Sequence, residues 1–563
     1  MAASMAALLR ELEGLKGEFG GTAPRRKLEL LSGLHRGRLA RAADVLALHE
    51  QLCFMRAYPD DAAVLERVEQ VLLGFDRRSD VRRFAEGLAD SGIAGTPTHY
   101  AFYAPTAGWL ARRWGDRLHI DWKNFANASQ LDELVHHFAL WAETPGLDES
   151  RDGAREWIER MRGPDETDAA FLVRSFAGLD AGERLANHVY DQLDPSLRLV
   201  AGPDTPSRTR PKLAHSRVTF QTGPLRTARP ALPAAIRTAP RGVRVLPRRD
   251  AARLVDMARE AMVTRGRDLD VFMFGDARDV RLVDSGDGLA FAVFCATPDH
   301  RLLLESVYGM LTLKNGVPIG YVLVSALFGS SEIAYNVFET FRGGESGHVY
   351  GAVLATAHHL FGSDTFTIYP YQLGDDNDEA LQSGAWWFYQ KLGFRPRDPA
   401  VKRLMRRELA AMARRGRHRS TIPTLRRLAR ENLYYALGRP RDDVMGELPL
   451  RRVGEAVTAA VATRFGSDRR RAGRVLTDEV RALLGLRSLD GWDRGQRLML
   501  QRWAPLVGVL PGVARWSAAE RSALVEVVRA KGGRRESDYV RRFDGHRRLR
   551  QAVTALARRV ARR

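Results

Sequence analysis

Asp376-Asn377-Asp378-Glu379-Ala380-Leu381-Gln382-Ser383-Gly384-Ala385-Trp386-Trp387-Phe388-Tyr389-Gln390-Lys391-Leu392-Gly393-Phe394 reads as one helix with both ends written into it. Leu381, Ala385, Phe388 and Leu392 recur every three or four residues, which puts them on one helical face. Asp376 followed by Glu379 is a capping-box pattern, one carboxylate accepting from the helix start and the other reaching back. Gly393 supplies a left-handed C-cap, and Phe394 can fold back onto the helix. The spacing therefore predicts a helix at about 377–392.

Upstream, a strand over Ile333–Phe338 feeds Thr340-Phe341-Arg342-Gly343-Gly344-Glu345-Ser346-Gly347-His348, a helix at about 346–361 and a strand at Thr365–Tyr369. Three glycines before a helix let backbone approach a ligand. The free N–H groups at the helix start attract anionic oxygen, typically by about 0.3–1 kcal/mol. Arg342 adds a charge that can fork onto phosphate. A plain tight turn, with Arg342 paired to Glu339 or Glu345, is the alternative reading of the same residues.

Further upstream, Val243–Leu246, Val280–Val283, Leu289–Ala296, Gly309–Lys314 and Val317–Leu327 carry strand signals, and Arg249–Val263 a helical one. Asn315-Gly316 favours the tight turn of a hairpin. This mixture predicts a domain with a central sheet over residues 242–396. Eight of the 25 prolines fall between Pro203 and Pro247, so residues 201–241 read as a Pro-rich linker or an extended strap. Residues 1–200 read as helical, with further helices over Leu131–Glu143 and Ala154–Arg162. Residues 397–563 read as Arg-rich helices, among them Val401–Arg417, Ile422–Leu437 and Glu520–Arg529.

The pattern Gln382-x-x-Ala385-x-x-Phe388-Tyr389-x-Lys391-x-Gly393-Phe394 resembles the last characteristic helix of the GNAT-type N-acyltransferase superfamily. The order of elements upstream is similar too, over about residues 242–396. The fold expected is multidomain α plus α/β: a GNAT-like mixed central sheet flanked by helical N- and C-terminal regions. The resemblance implies acetyl-CoA or another acyl-CoA as co-substrate, an amine-bearing acceptor and direct transfer, with no metal. It implies that backbone at Val337 and Phe338 meets the pantetheine. It further implies that Arg342, Gly343, Gly344, Glu345, Ser346 and Gly347 hold the pyrophosphate, that Tyr389 protonates the departing thiolate, and that Glu339 is a candidate base. Read from the residues alone, Tyr389 fits a core tyrosine equally well, and Glu339 a partner of Arg342.

The 563 residues imply roughly three or four domains. A hydrophobic content of 45% excludes full disorder. No stretch approaches the roughly 18 apolar residues of a membrane span, and Met1–Glu11 lacks the form of a signal peptide. Cys53 and Cys295, each among apolar neighbours, read as core thiols of a cytoplasmic protein. His136-His137 and His358-His359 point about 100° apart on a helix and cannot chelate zinc on one face.

The net charge of +20 is concentrated in one region: residues 395–563 hold 42 Lys+Arg against 17 Asp+Glu. The rival expectation follows from it: a catalytically degenerate scaffold whose basic C-terminal region docks on nucleic acid or an acidic partner. A merely solvated, arginine-biased surface is the plain alternative.

Overall fold

The computed structural model describes residues 4–213 and 217–558. Two compact units emerge: Met1–Leu225 with Ala252–Gly275 and Leu313–Ile319, and Arg226–Ala251 with Asp276–Thr312 and Gly320–Arg563. The division cuts across the four-part reading of the sequence, because the chain crosses between units more than once.

The first unit opens with helices Met5–Leu15, Ala23–Arg36, Ala42–Ala57 and Ala62–Leu73, whose apolar stripes (Leu12, Leu30, Leu31, Val45, Leu48, Val64, Val68) are buried. Lys27 is buried among them, its Nζ 2.9 Å from both carboxylate oxygens of Asp60. The region, read from sequence as helical, also contains strands. Strands β1 (Thr98–Tyr100), β2 (Leu118–Ile120) and β3 (Leu197–Leu199) form an antiparallel sheet in the order β1-β3-β2. Strands of three residues are too short for an alternation to declare itself. The expected Leu131–Glu143 helix is α-helical only over Leu131–Leu134, followed by 3-10 turns at Val135–His137 and Trp141–Glu143. Trp141 is 91% exposed, so the apolar residues that suggested a helical face there have no common core to meet. From the Pro-rich stretch, the Arg208 amide donates to Gly92 O (2.7 Å) and the Gln221 amide to Pro59 O (2.8 Å), the contacts of an extended strap.

The second unit is organised by the larger sheet, mixed and nine-stranded, in the order β11-β12-β10-β9-β8-β7-β6-β5-β4. Its strands are β4 (Gly242–Val245), β5 (Arg281–Gly286), β6 (Leu289–Cys295), β7 (Ser306–Lys314), β8 (Val317–Leu327), β9 (Ser330–Val337), β10 (Thr365–Ile368), β11 (Arg395–Pro396) and β12 (Leu433–Ala436). The turn between β7 and β8 has Asn315 at φ 49° and Gly316 at φ 81°, the left-handed pair that a two-residue hairpin requires. β9 pairs antiparallel with β8, and β10 joins β9 in parallel.

On one face of this sheet lies helix α2 (Ser346–Phe361), preceded in the chain by the short helix α1 (Leu232–Arg237). Val349, Tyr350, Val353, Leu354 and Phe361 of α2 share a core with Val322, Val324 and Ile333. A Cβ on Gly351 would stand 3.2 Å from the Ala235 methyl, so the α1–α2 approach depends on the missing side chain.

The expected single helix at 377–392 is two: α3 (Asp378–Ser383) and α4 (Ala385–Leu392), broken at Gly384, φ 67°. The capping box is also corrected. Asn377, not Asp376, is the N-cap and accepts from the Ala380 amide (3.1 Å), while Glu379 turns away to Arg342. The C-terminal end is as expected, with Gly393 at φ 111° and Phe394 fully buried against the Tyr389 ring.

Two helices, α5 (Pro399–Arg414) and α6 (Ile422–Ala429), intervene between β11 and β12. The expected Ile422–Leu437 helix thus ends at Ala429, and Leu433-Tyr434-Tyr435-Ala436 pairs antiparallel with β10 instead. Those residues suit a pleated surface better than a helix. Six helices from Arg451 to Arg558 follow. Trp503, Tyr539 and Phe543 bury their rings in the same core as the sheet, Phe543 lying 5.4 Å from Phe328. The basic helices are thus part of the sheet's own unit. Both cysteines are buried and free, and among the described residues no helix is long and apolar enough to cross a membrane.

Candidate functional site

The site is built where β9 outruns its parallel neighbour. The β9–β10 register is Ser330–Thr365, Ser331–Phe366 and Glu332–Thr367. β10 then stops at Ile368 and the chain turns into a short helix at Pro370–Leu373. β9 continues to Val337, paired only with β8 from Ile333–Val324 to Val337–Gly320. Along Ile333–Val337, β9 therefore runs past the end of β10 with β8 as its strand neighbour. Gly320 is needed opposite this end, because a Cβ there would fall 2.3 Å from Asn336 O.

Alternation sorts the β8–β9 side chains. Val322, Val324, Ile333 and Tyr335 face α2; Tyr335 lies 5.2 Å from Tyr350 and donates its hydroxyl to Ser346 O at 3.2 Å. The other face carries the cross-strand pairs Tyr321–Asn336, Leu323–Ala334 and Ser325–Glu332, all half-buried. Burial, together with the Glu305 carboxylate, pushes the Glu332 carboxyl up to about 7, against the opposing hydrogen bond from Ser325. The Tyr369 hydroxyl is pushed up by burial and by the same two carboxylates. A group poised near neutrality on a half-open face is suited to accept and release a proton.

The loop divides the sequence candidates. Val337 is half-buried, its carbonyl accepting from Arg342 Nε at 3.3 Å, and Phe338 is buried against Tyr321. Glu339 stands exposed in the turn Glu339–Phe341. Arg342 is exposed and pairs with Glu379 of α3, a partner distant in sequence, instead of Glu339 or Glu345. Gly343, at φ 78°, is exposed with open space where a Cβ would stand, and Gly344 and Ser346 are partly accessible. Glu345 and Gly347 point elsewhere. Glu345 is buried and accepts from the Arg226 amide at 3.4 Å, and Gly347 faces the Pro230 ring, 3.3 Å from where a Cβ would be. Anionic oxygen can thus be met at Arg342, Gly343, Gly344 and Ser346, but not at the buried Glu345, while Gly347 is turned to the Pro230 ring.

Tyr389 belongs to the core: it is 3% exposed, its ring 5.5 Å from Tyr350 and 5.9 Å from Phe394, and burial pushes its hydroxyl up. Through Tyr350 it connects to Tyr335, the tyrosine nearest the loop. The Tyr350 hydroxyl is itself buried without a partner, an unmet demand in the middle of this tyrosine group.

Glu332 and Tyr335 are residues that the sequence reading missed. Its strand began at Ile333, which left Glu332 one position outside; the alternation Glu332, Ala334, Asn336 was the available signal. No group of three or more His, Cys, Asp or Glu able to hold a metal ion occurs among the described residues. No family model, no curated protein and no solved structure matches the chain.

Proposed function

We propose that the second unit is an acyl-CoA-dependent N-acyltransferase. The observation that carries the reading is the edge of β9 at Ile333–Val337, which outruns β10 and leads directly into a glycine loop and the start of α2. Such an edge offers peptide groups to the amides of a pantetheine arm. Arg342 and the amides of Gly343, Gly344 and Ser346 would then meet the pyrophosphate. Two strands, β11 and β12, follow Gly393-Phe394 in the sheet.

In the proposed step the acceptor amine attacks the thioester carbonyl, the N–C bond forms, the C–S bond breaks and CoA leaves as a thiol. The amine proton goes to Glu332, which replaces Glu339 as the favoured base because its carboxyl titrates near 7 while Glu339 stands in open solvent. The proton for sulfur comes from the tyrosine group, through Tyr335 or Tyr389. Carboxylates at Glu332 and Glu305 also favour a cationic amine as acceptor.

A second reading, a scaffold that binds without turnover, is favoured by one observation: Tyr389 lies buried among aromatic rings. Two measurements separate the readings. Thermal melting with acetyl-CoA at about 100 times its dissociation constant adds about 2.7 kcal/mol, and thiol release is followed with a panel of primary amines. Binding with amine-dependent thiol release supports the enzyme. Binding without release supports the scaffold. No shift with acetyl-, malonyl- or long-chain acyl-CoA refutes both.

A further inference from the structure

The structure assigns a double-stranded DNA docking surface to the outer face of α5 and the loop that follows it. This inference is independent of acyl transfer. Val401, Leu404 and Met405 bury one side of α5. Arg403, Arg406, Arg407 and Arg414 project from the opposite side, and Arg415, Arg417 and Arg419 extend the row into the loop; all seven are exposed. At 100° per residue, positions 403, 407 and 414 fall within about 40° of one another, with 406 about 60° from 403. They form a stripe about 16 Å long at 1.5 Å per residue.

The charge of this stripe is unspent, and what distinguishes it from Arg469, Arg470, Arg471 and Arg474, which likewise have no carboxylate partner among the described residues, is alignment: on their helix those four spread over about 200°. Several other arginines of the region are committed: Arg441 and Arg550 to Asp443, Arg464 to Glu479, Arg548 to Glu520, Arg541 to the carbonyls of His359 and Leu360. Among the described residues, no carboxylate pairs with Arg403, Arg406, Arg407, Arg414, Arg415 or Arg417. The one acid of the exposed turns, Glu408, is taken by His418 and Ser420. Holding so many like charges in one row costs self-repulsion unless a polyanion neutralises it.

The chemistry selects among polyanions. No aromatic residue occurs from Arg395 to Asn432, so there is no platform for stacking unpaired bases, which single-stranded nucleic acid requires. A straight helix fits the major groove of B-form DNA, whereas the deep, narrow major groove of duplex RNA excludes side chains. Nor does α5 carry Asn or Gln to read adenine. The surface is suited to phosphates.

The test is fluorescence anisotropy on the full chain with a random 20-base-pair DNA duplex, the matching single strand and the matching RNA duplex. Four phosphate contacts give a salt slope of about −3.6, so affinity for duplex DNA falls about 150-fold from 50 to 200 mM salt. Changing Arg403, Arg407, Arg414 and Arg415 together to Gln removes at least about tenfold of the affinity and flattens that slope. Changing Arg469, Arg470, Arg471 and Arg474 to Gln, an equal charge loss on exposed positions of another helix, costs less than about threefold. Surface changes of this kind leave melting almost unmoved, which confirms folding. Equal losses in both variants, tighter binding of RNA or single strands, or no binding to duplex DNA at low salt each overturns the assignment.

Discussion

Replacing Glu332 by Gln isolates the energetic consequence of placing a carboxyl on a half-buried sheet face. The carboxyl is raised from 4.5 to about 7, and each tenfold change in proton affinity is worth about 1.4 kcal/mol, so ionisation costs the folded state about 3 kcal/mol. Partial access of water trims this to about 2 kcal/mol. The direction follows from where the proton sits. Between pH 4.5 and about 7 the folded chain keeps it while the unfolded chain has released it, so stability falls as pH rises through that window. Below 4.5 both states are protonated, and above about 7 the full penalty is present. Gln keeps an oxygen to accept from Ser325 and has no proton to lose. The variant is therefore expected to match the parent at pH 4.5 and to exceed it by about 2 kcal/mol at pH 8. In a unit of about 300 residues that moves the melting midpoint by about 3 °C. Midpoints of both proteins from pH 4.5 to 8.5 decide the matter. A difference that does not change with pH, or a variant less stable at pH 8, refutes the placement of this carboxyl.

Two further outcomes follow from packing. Lys27→Met leaves the Asp60 carboxylate buried without its cation and should cost about 3–5 kcal/mol in urea unfolding, with Asp60→Asn on that background restoring much of it; a loss below about 1 kcal/mol would contradict the burial. Gly393→Ala must hold φ 111° and set its methyl 3.2 Å from the Tyr435 ring, costing about 1–3 kcal/mol, whereas Gly384→Ala, at φ 67° with open space around it, should cost about 1 kcal/mol; the reverse order would count against the packing of β12 on α4.

Features specified by neighbours in sequence were legible. The Asn315-Gly316 hairpin, the helix from Ser346 and the Gly393-Phe394 terminus are each decided within a few residues by turn geometry, capping or periodicity. Features specified across the fold were not. Whether Leu433–Ala436 is strand or helix depends on an open edge of β10 that only the folded sheet provides. Whether Arg342 turns to Glu339, Glu345 or Glu379 depends on where α3 lands. The raised carboxyl at Glu332 depends on its burial in the folded sheet and on Glu305, which no spacing rule connects to it. Tyr389 shows the limit most directly: its place in a helical pattern could be read, but its depth among Tyr350, Phe388 and Phe394 could not.

The position of β12 between β10 and β11 has a consequence for synthesis. β11, at residues 395–396, has β12, at residues 433–436, as its strand partner and stands at the edge of the sheet. While the intervening stretch emerges, at about 5–20 residues per second, the nascent chain carries β10 as a bare edge, ready to recruit a strand from another molecule. Recombinant fragments ending at Phe394 or Pro396, where the acyltransferase-like pattern itself ends, should therefore aggregate, and fragments carried past Ala436 should escape that particular fate.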